Sequence, residues 1–192
     1  MQFKILILSF LVSFILEFNL AYNDYTWRDY YPGGTIPSDA FSPGNDVNGN
    51  PLYIGQVLIK KNHSDIVPTT IYPDEPVYGA SYGVKPADNF VQILCSQRPE
   101  YFTWTRTNST DLHLLTNSLH FIRGGVEDGK WLYIGRVNYQ GDIAIGKVLA
   151  GNIGDALMYF VYKDKELNAR SFDVLTYNGN NVLDINFRSL PN

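Results

Sequence analysis

Two copies of the segment Leu-Tyr-Ile-Gly, Leu52–Gly55 and Leu132–Gly135, set the framework for the whole chain. The copies lie 80 residues apart. An aromatic-Thr-Trp triplet precedes each copy, and the tryptophans of these triplets, Trp27 and Trp104, are 77 residues apart. Landmarks that return in the same order with nearly the same spacing indicate an internal duplication.

The residue types along the chain predict strands throughout. Tyr, Phe, Val, Ile and Thr dominate, while Gly, Pro, Asn and Asp recur at short intervals as turn formers. Leu52–Ile59 and Trp131–Val137 are mostly apolar runs of strand length, each preceded by a turn that contains glycine. We therefore expect an all-β fold of antiparallel strands in two repeats, at residues 22–98 (the first half) and 99–177 (the second half).

Both ends of the chain fall outside the repeats. Residues 1–21 combine Lys4, the apolar run Ile5–Leu16 and a small residue at a cleavage-like position, which is the layout of a secretory signal peptide. The run is short for a membrane span. A secreted, extracellular protein is therefore expected, with no membrane partner once the peptide is removed. In the tail, residues 178–192, the alternation over Val182–Phe187 predicts one further strand that covers a sheet edge.

Charge and cysteine content narrow the classes of partner. The net charge of -4 argues against a general binder of polyanions, so no nucleic-acid partner is expected. Cys95 is the only cysteine, which excludes an intramolecular disulfide. It is either a buried thiol or the bridge of a homodimer. Two sequons, at Asn62 and Asn108, predict N-glycosylation of an exported chain.

Motifs for catalysis and metal binding are missing from the sequence. It contains no Gly-x-Ser-x-Gly elbow, phosphate loop or zinc-ligand pattern. The three histidines, His63, His113 and His120, lack the partner spacing of a metal site. The acidic turns lack the length and the terminal glutamate of a calcium loop. We therefore expect no enzymatic activity, no metal and no cofactor.

Aromatic residues among small polar residues are, in contrast, typical of a sugar-binding surface. The chain has 14 tyrosines and 3 tryptophans beside turns that carry acids, amides and lysines. A pyranose offers hydroxyl pairs to a carboxylate or an ammonium group, and C–H faces to an aromatic ring. The alternative is that these aromatic side chains fill the core of a β fold.

A family resemblance rests on motifs that recur in both halves. The second half contains the fuller set, namely Gly124-Gly125, Asp128-Gly129, Leu132–Arg136, Gly146–Val148, Lys165-Glu166 and Phe172–Leu175. The first half matches at Asp46, Gly49 and Pro51–Gly55, while Gln56 replaces the arginine. In these motifs the chain resembles the DM-nine repeat family. The resemblance implies two tandem repeats related by a pseudo-twofold axis, and a mannose-binding lectin that acts in innate recognition.

The resemblance also implies which residues contact the sugar. In the family's lectin these are a turn aspartate, six residues before the leucine of Leu-Tyr, and the lysine of Gly-Lys. Asp46 matches the aspartate in the first half, where Thr70 falls near the lysine position. Lys147 matches the lysine in the second half, where Val126 stands at the aspartate position and Glu127 is one step out of register.

Two arrangements of these residues are open. If each pocket is built within one repeat, neither half holds a complete pair of acid and lysine. If strands are exchanged between the halves, Asp46 and Lys147 meet in one hybrid pocket. Glu166, in the Lys-Glu turn, is a candidate for a third contact. A third interpretation is that Asp46 only caps its turn and that Lys147 is solvated.

The expected function is therefore that of a secreted, non-enzymatic carbohydrate-binding protein with a mannose-type glycan as its partner. The alternative is a secreted protein-interaction or structural module that has kept the fold and lost sugar binding.

Overall fold

The computed structural model describes residues 25–60 and 64–178. The predicted signal peptide, the sequon residue Asn62 and the predicted tail strand therefore lie outside the described residues. Within the described part of the chain, no helix is long and apolar enough to cross a membrane.

The all-β prediction is confirmed. Helical structure in the described ranges is confined to a 3₁₀ turn at Pro99–Tyr101 and one α-helical turn, α1, at Leu112–Leu115. The strands are β1 Tyr25–Asp29, β2 Tyr53–Lys60, β3 Ser64–Ile71, β4 Tyr78–Ala80, β5 Val84–Pro86, β6 Val91–Ser96, β7 Phe102–Asn108, β8 Arg123–Glu127, β9 Lys130–Tyr139, β10 Asp142–Val148, β11 Met158–Tyr162, β12 Lys165–Ala169 and β13 Ser171–Tyr177.

Strand pairing follows the same order in both halves, and every pair is antiparallel. In the first half β1 pairs with β6, β6 with β2, and β2 with β3. In the second half β7 pairs with β13, β13 with β9, and β9 with β10. The hairpins β4–β5 and β11–β12 also take corresponding places in the chain. The pseudo-twofold axis and the repeat boundary between residues 98 and 99 stay predictions.

The two halves are joined through β8. Ile66 on β3 lies opposite Val126 on β8, and β8 continues the sheet into β9. This junction depends on Gly125, because a Cβ built there would lie 2.0 Å from the carbonyl oxygen of Ile66. Only glycine permits two backbones to approach so closely.

The hydrophobic core is shared between the halves. The leucine and isoleucine of both Leu-Tyr-Ile-Gly segments are fully buried. Ile54 and Leu94 of the first half pack in one cluster with Ile134 and Leu175 of the second. Both halves thus bury apolar area against each other, and each square ångström removed from water contributes roughly 25 cal/mol.

Cys95 belongs to this core rather than to the surface. Its side chain is 1% exposed and carries a free thiol. Burial raises the pKa of the thiol to about 11, and the nearby Asp39 acts in the same direction. The structure therefore agrees with the buried-thiol alternative, and a bridge to a second chain would require local unfolding first. The homodimer itself stays a prediction.

Candidate functional site

The two acidic turns differ in length by one residue. In the first half Asn45 pairs with Pro51, and in the second half Val126 pairs with Trp131. The next residue in each half is an acid. Asp46 is the first residue of the longer turn, whereas Glu127 is the last residue of β8 and pairs with Lys130. Glu127 takes the place of Asp46, although it lies five residues before its leucine and Asp46 lies six, because the first turn is one residue longer.

The lysine position also has a defined counterpart. Lys147 lies opposite Ile134 on the paired strand, and Thr70 lies opposite Ile54. The two isoleucines are equivalent members of the repeated segment, so Thr70 takes the lysine's place in the first half. The backbone N–H of Ile145 donates a 2.8 Å hydrogen bond to the Thr70 hydroxyl, which links β10 to β3.

Lys147 and Glu127 form a buried ion pair. The Lys147 ammonium donates to both carboxylate oxygens of Glu127, at 2.5 and 2.7 Å, and lies 3.9 Å from Oε1 of Glu166. Lys147 is only 3% exposed, so the interpretation that it is solvated is wrong. The prediction that neither half holds an acid and lysine pair is also wrong, because all three side chains belong to the second half.

Residues of the first half complete this cluster. Ser81, in the turn between β4 and β5, donates a 2.8 Å hydrogen bond to Glu127, and the backbone N–H of Gly83 donates to Glu166. The buried Asp65, at the start of β3, accepts a 3.2 Å hydrogen bond from the Asp128 N–H. No spacing in the sequence marks Asp65 or Ser81, because they come from the opposite half.

Tyr82 lies over the same cluster from the β4–β5 turn. Its ring centroid is 5.9 Å from the Lys147 ammonium, and its hydroxyl donates a 2.7 Å hydrogen bond to Asp128. That hydrogen bond, reinforced by the carboxylate charge, raises the pKa of the Tyr82 phenol. Tyr82 also has a positive φ of 50°, a conformation uncommon for a residue with a side chain.

A cleft of about 210 Å³ opens beside the ion pair, and we call it the Glu127 cleft. Trp131, 56% exposed, forms part of its wall, and the Arg123 guanidinium lies 4.5 Å from the centre of the tryptophan ring system. Aromatic, acidic and amide side chains therefore face the same space. The lining residues are Tyr82, Glu127, Asp128, Lys130, Trp131, Leu132, Leu149, Gly151 and Asn152.

A second cleft, of about 550 Å³, contains Asp46, and we call it the Asp46 cleft. It too combines both halves, because the β11–β12 turn of the second half faces the acidic turn of the first. Asp46 and Lys147 therefore lie at different clefts and form no hybrid pocket. The lining residues are Asp46, Val47, Asn48, Thr69, Thr70, Tyr72, Glu75, Pro76, Tyr78, Asp142, Val161, Tyr162, Lys163 and Asp164.

Asp46 caps its own turn within this cleft. Its carboxylate accepts hydrogen bonds from the backbone N–H of Asn48, at 2.9 Å, and from the backbone and side chain of Asn50, at 2.7 and 3.0 Å. These bonds, led by the one from the Asn50 side chain, lower the pKa of Asp46. The capping role expected as one interpretation is therefore present, at a position that also lines the cleft.

The remaining predicted sites stand apart from both clefts. Asn108 ends β7, and its side-chain oxygen accepts hydrogen bonds from the backbone and hydroxyl of Thr110, at 2.9 and 2.6 Å. Its glycosylation stays a prediction. Among residues 25–60 and 64–178, no group of three or more His, Cys, Asp or Glu side chains is arranged to hold a metal ion.

Comparisons with known proteins agree with this architecture. The crystal structure of the nematode sperm cell motility protein MFP2B matches with a TM-score of 0.54 and 13% sequence identity. The match covers 80% of this chain and 46% of that one, so this chain spans less than half of that protein's length. At this identity the likeness shows the fold alone. A search of curated proteins finds no match.

The sequence itself places the chain in a family. The model of the DM9 repeat matches residues 60–169, which is more than half of the 192 residues. The match includes β3 to β12 and therefore most of the residues that build both clefts. On this match, and with a fold of the expected class, the chain belongs to the DM9 repeat family.

Proposed function

We propose that the protein is a secreted, non-enzymatic carbohydrate-binding module that takes a mannose-type glycan and serves innate recognition. The observation that carries the proposal is the Glu127–Lys147 pair, with Glu166 beside it, at the edge of a cleft that has an exposed tryptophan. The acid and lysine are the two residue types that the family resemblance implies for sugar contact. Export rests on the predicted signal peptide.

The chemistry of the Glu127 cleft suits a pyranose. Carboxylates accept hydrogen bonds from sugar hydroxyls, and Asp128 and Glu127 both line the cleft. The exposed face of Trp131 offers an apolar surface to the C–H groups of the ring. Lys147 compensates the charge of Glu127 and holds its carboxylate in place, since the ammonium donates to both oxygens. The lysine thus acts on the ligand mainly through the acid.

Calorimetric titration with methyl α-mannoside tests the proposal. Trp131→Ala is expected to weaken binding about three- to tenfold, the effect of roughly 0.7 to 1.4 kcal/mol of lost ring contact. Asp128→Asn is expected to weaken it as well, because an amide accepts fewer hydrogen bonds than a carboxylate. Asp164→Asn, an exposed substitution in the other cleft, is the matched control. Equal affinity in all four proteins would show that the mannoside does not use the Glu127 cleft.

One observation favours the second candidate, an interaction or structural module without sugar binding. Lys147 is buried, and its ammonium already donates to two carboxylate oxygens. A ligand that needed this lysine directly would have to displace a strong ion pair. Screening the folded wild-type protein on a glycan array separates the candidates. Binding of mannose-type glycans supports the carbohydrate-binding module, and the absence of binding to every glycan supports the interaction or structural module.

A further inference from the structure

We propose that the Asp46 cleft is a second ligand site, and that it takes a sugar bearing a free ammonium group, an amino sugar. This cleft is separate from the proposed mannose site. Thr70 stands in it at the position that Lys147 holds in the second half. The cation Lys147 lies beside the Glu127 cleft and is bonded to Glu127, whereas Thr70 takes its place in the lining of the Asp46 cleft.

The carboxylates around the lysine position are retained where the lysine is lost. Asp46 takes the same place as Glu127 at the start of its turn. Asp142, at the start of β10, stands five residues before Lys147, and Asp65 stands five residues before Thr70 on β3. Asp142 lines the Asp46 cleft and Asp65 lies beside the Glu127 cleft, each contributed by the opposite half, whereas a lysine at the Lys147 position is present only beside the Glu127 cleft.

The lining of the Asp46 cleft is acidic. Four carboxylates face it, from Asp46, Glu75, Asp142 and Asp164, against the one ammonium of Lys163. Lys163 belongs to the β11–β12 turn and lies 5.4 Å from the centre of the Tyr162 ring. Four negative groups and one positive group leave a formal charge of about minus three in the lining, which attracts a cationic ligand.

Asp142, one of these four acids, has one carboxylate oxygen that is paired and one that is not, within the described part of the chain. Its Oδ2 accepts a 3.2 Å hydrogen bond from the Tyr72 hydroxyl. Its Oδ1 is buried and has no donor among the described residues. A buried acceptor without a donor costs roughly 1 to 3 kcal/mol, and more when it is charged. An ammonium group of a ligand would supply the missing donor and would compensate the charge in one contact.

The aromatic residues of the cleft indicate the rest of the ligand. Tyr72, Tyr78 and Tyr162 line it together with Thr69 and Asn48, so aromatic rings, hydroxyl groups and an amide share the lining. A cation gains energy over a tyrosine ring, and a pyranose ring packs against one. The volume of about 550 Å³ lies within the usual range for ligand pockets and exceeds one monosaccharide. An amino sugar, alone or within an oligosaccharide, satisfies both features.

Three probes that share one ring isolate the role of the cation. D-glucosamine carries the ammonium group, N-acetylglucosamine carries a neutral amide at the same carbon, and D-glucose carries a hydroxyl. Titrated into the full-length protein below the pKa of the amine, glucosamine is expected to bind at least tenfold more tightly than either neutral sugar. Equal affinities for the three sugars would overturn the proposal. Equally tight binding of n-butylamine would overturn the assignment to a sugar.

Variants then test the location. Asp142→Asn preserves the shape of the side chain and is expected to weaken the affinity for glucosamine at least tenfold. Asp164→Asn, at an exposed position, is expected to weaken that affinity two- to threefold. Thr70→Lys brings a cation to the lysine position and should abolish binding, with folding checked by circular dichroism. Trp131→Ala is the control and should leave glucosamine binding unchanged. Glucosamine binding that is lost in Trp131→Ala and retained in Asp142→Asn would place the ligand in the other cleft and overturn the assignment.

Discussion

Lys147 shows how strongly one buried charge can depend on its partners. Its side chain is 4% exposed, and Glu127 and Glu166 are the carboxylates within 4 Å of its ammonium among the described residues. A buried ion pair contributes little compared with an apolar pair of equal shape. Removal of one member is costly, however, because the other charge remains buried and uncompensated. The stability of the second half is therefore sensitive to this residue.

We expect Lys147→Met to lower the free energy of unfolding by about 3 to 5 kcal/mol, as measured by urea denaturation. The double variant Lys147→Met/Glu127→Gln should recover at least about 1 kcal/mol of the lost free energy of unfolding, because it removes one of the two carboxylate charges left without a cationic partner. Lys163→Met, at an exposed position, is the control and should change the free energy by less than about 0.5 kcal/mol. An unchanged urea midpoint in Lys147→Met would contradict the burial of this ammonium.

Cys95 provides a prediction about reactivity. With a pKa of about 11, roughly one thiol in a thousand is ionised at pH 8, and the group is 1% exposed. We expect the native protein to react with Ellman's reagent at least a hundredfold more slowly than the protein unfolded in guanidinium chloride. Because the folded pKa is raised, the contribution of the neutral thiol to stability is complete below about pH 9 and is lost towards pH 11. Rapid reaction of the native protein would contradict this placement.

At the scale of single residues, the sequence motifs indicate the acid that one half contributes to each cleft, Glu127 or Asp46, and not the residues that come from the other half. Glu127, Glu166 and Lys147 were candidates because they lie in or beside motifs of one repeat, and the structure brings them together. Asp65 and Asp142 were missed. Asp65 accepts a hydrogen bond from the acidic turn of the second half, and Asp142 lines the cleft beside the acidic turn of the first, so no local spacing connects the residues. A long-range contact of this kind leaves no mark in a single sequence.

The pairing of β9 with β13 explains why Gln56 replaces the arginine of the repeated motif in the first half. Arg136 lies opposite Asp173 and donates a 2.9 Å hydrogen bond to it. At the equivalent position in the first half, Gln56 lies opposite Gln92, and their amides form a 2.6 Å hydrogen bond. Both members of the pair have therefore changed together, from an ion pair to an amide pair. The cross-strand contact is kept in each half.

We expect a double-mutant cycle over Arg136→Gln and Asp173→Gln to give a coupling energy of about 1 to 2 kcal/mol, because these side chains are only 25% and 22% exposed. The double variant recreates the amide pair of the first half and should lose less stability than the sum of the single variants. The control cycle uses Arg170 and Asp155, which are 69% and 59% exposed and should couple by less than about 0.5 kcal/mol. Equal coupling energies in both cycles would contradict the role assigned to burial.

Residues 25–178, which include the strands of both halves, should unfold as one unit. The cluster that contains Ile54, Leu94, Ile134 and Leu175 includes side chains of both halves, and β3 is bonded to β8 and to β10 across the junction. Neither half can therefore bury its apolar face alone. We expect one cooperative transition in urea, with coincident midpoints by tryptophan fluorescence and far-ultraviolet circular dichroism. Residues 99–178 expressed alone should lack a cooperative transition. Two separated transitions of the intact chain would contradict a shared core.

The sequence predicted the fold class and the strands that follow the acidic turns, because periodic landmarks and strand-forming residues are local signals. Leu52–Ile59 and Trp131–Val137 correspond closely to β2 and β9. It did not predict the one-residue difference between the turns, since an insertion shifts every count made from one side. It also did not predict that the β4–β5 and β11–β12 turns reach across to the opposite half. That arrangement is decided by the packing of the assembled core.

The crossing of these turns has a consequence for protein engineering. Tyr82 lies against the acidic turn of the second half, and Tyr162 lies at the cleft that contains Asp46. In a chimera in which one half is exchanged for that of a relative, each of the two clefts would therefore be lined by residues from both proteins. Ligand preference cannot be transplanted by moving a contiguous segment of about 80 residues. A transplant of specificity has to move one acidic turn together with the hairpin turn of the other half.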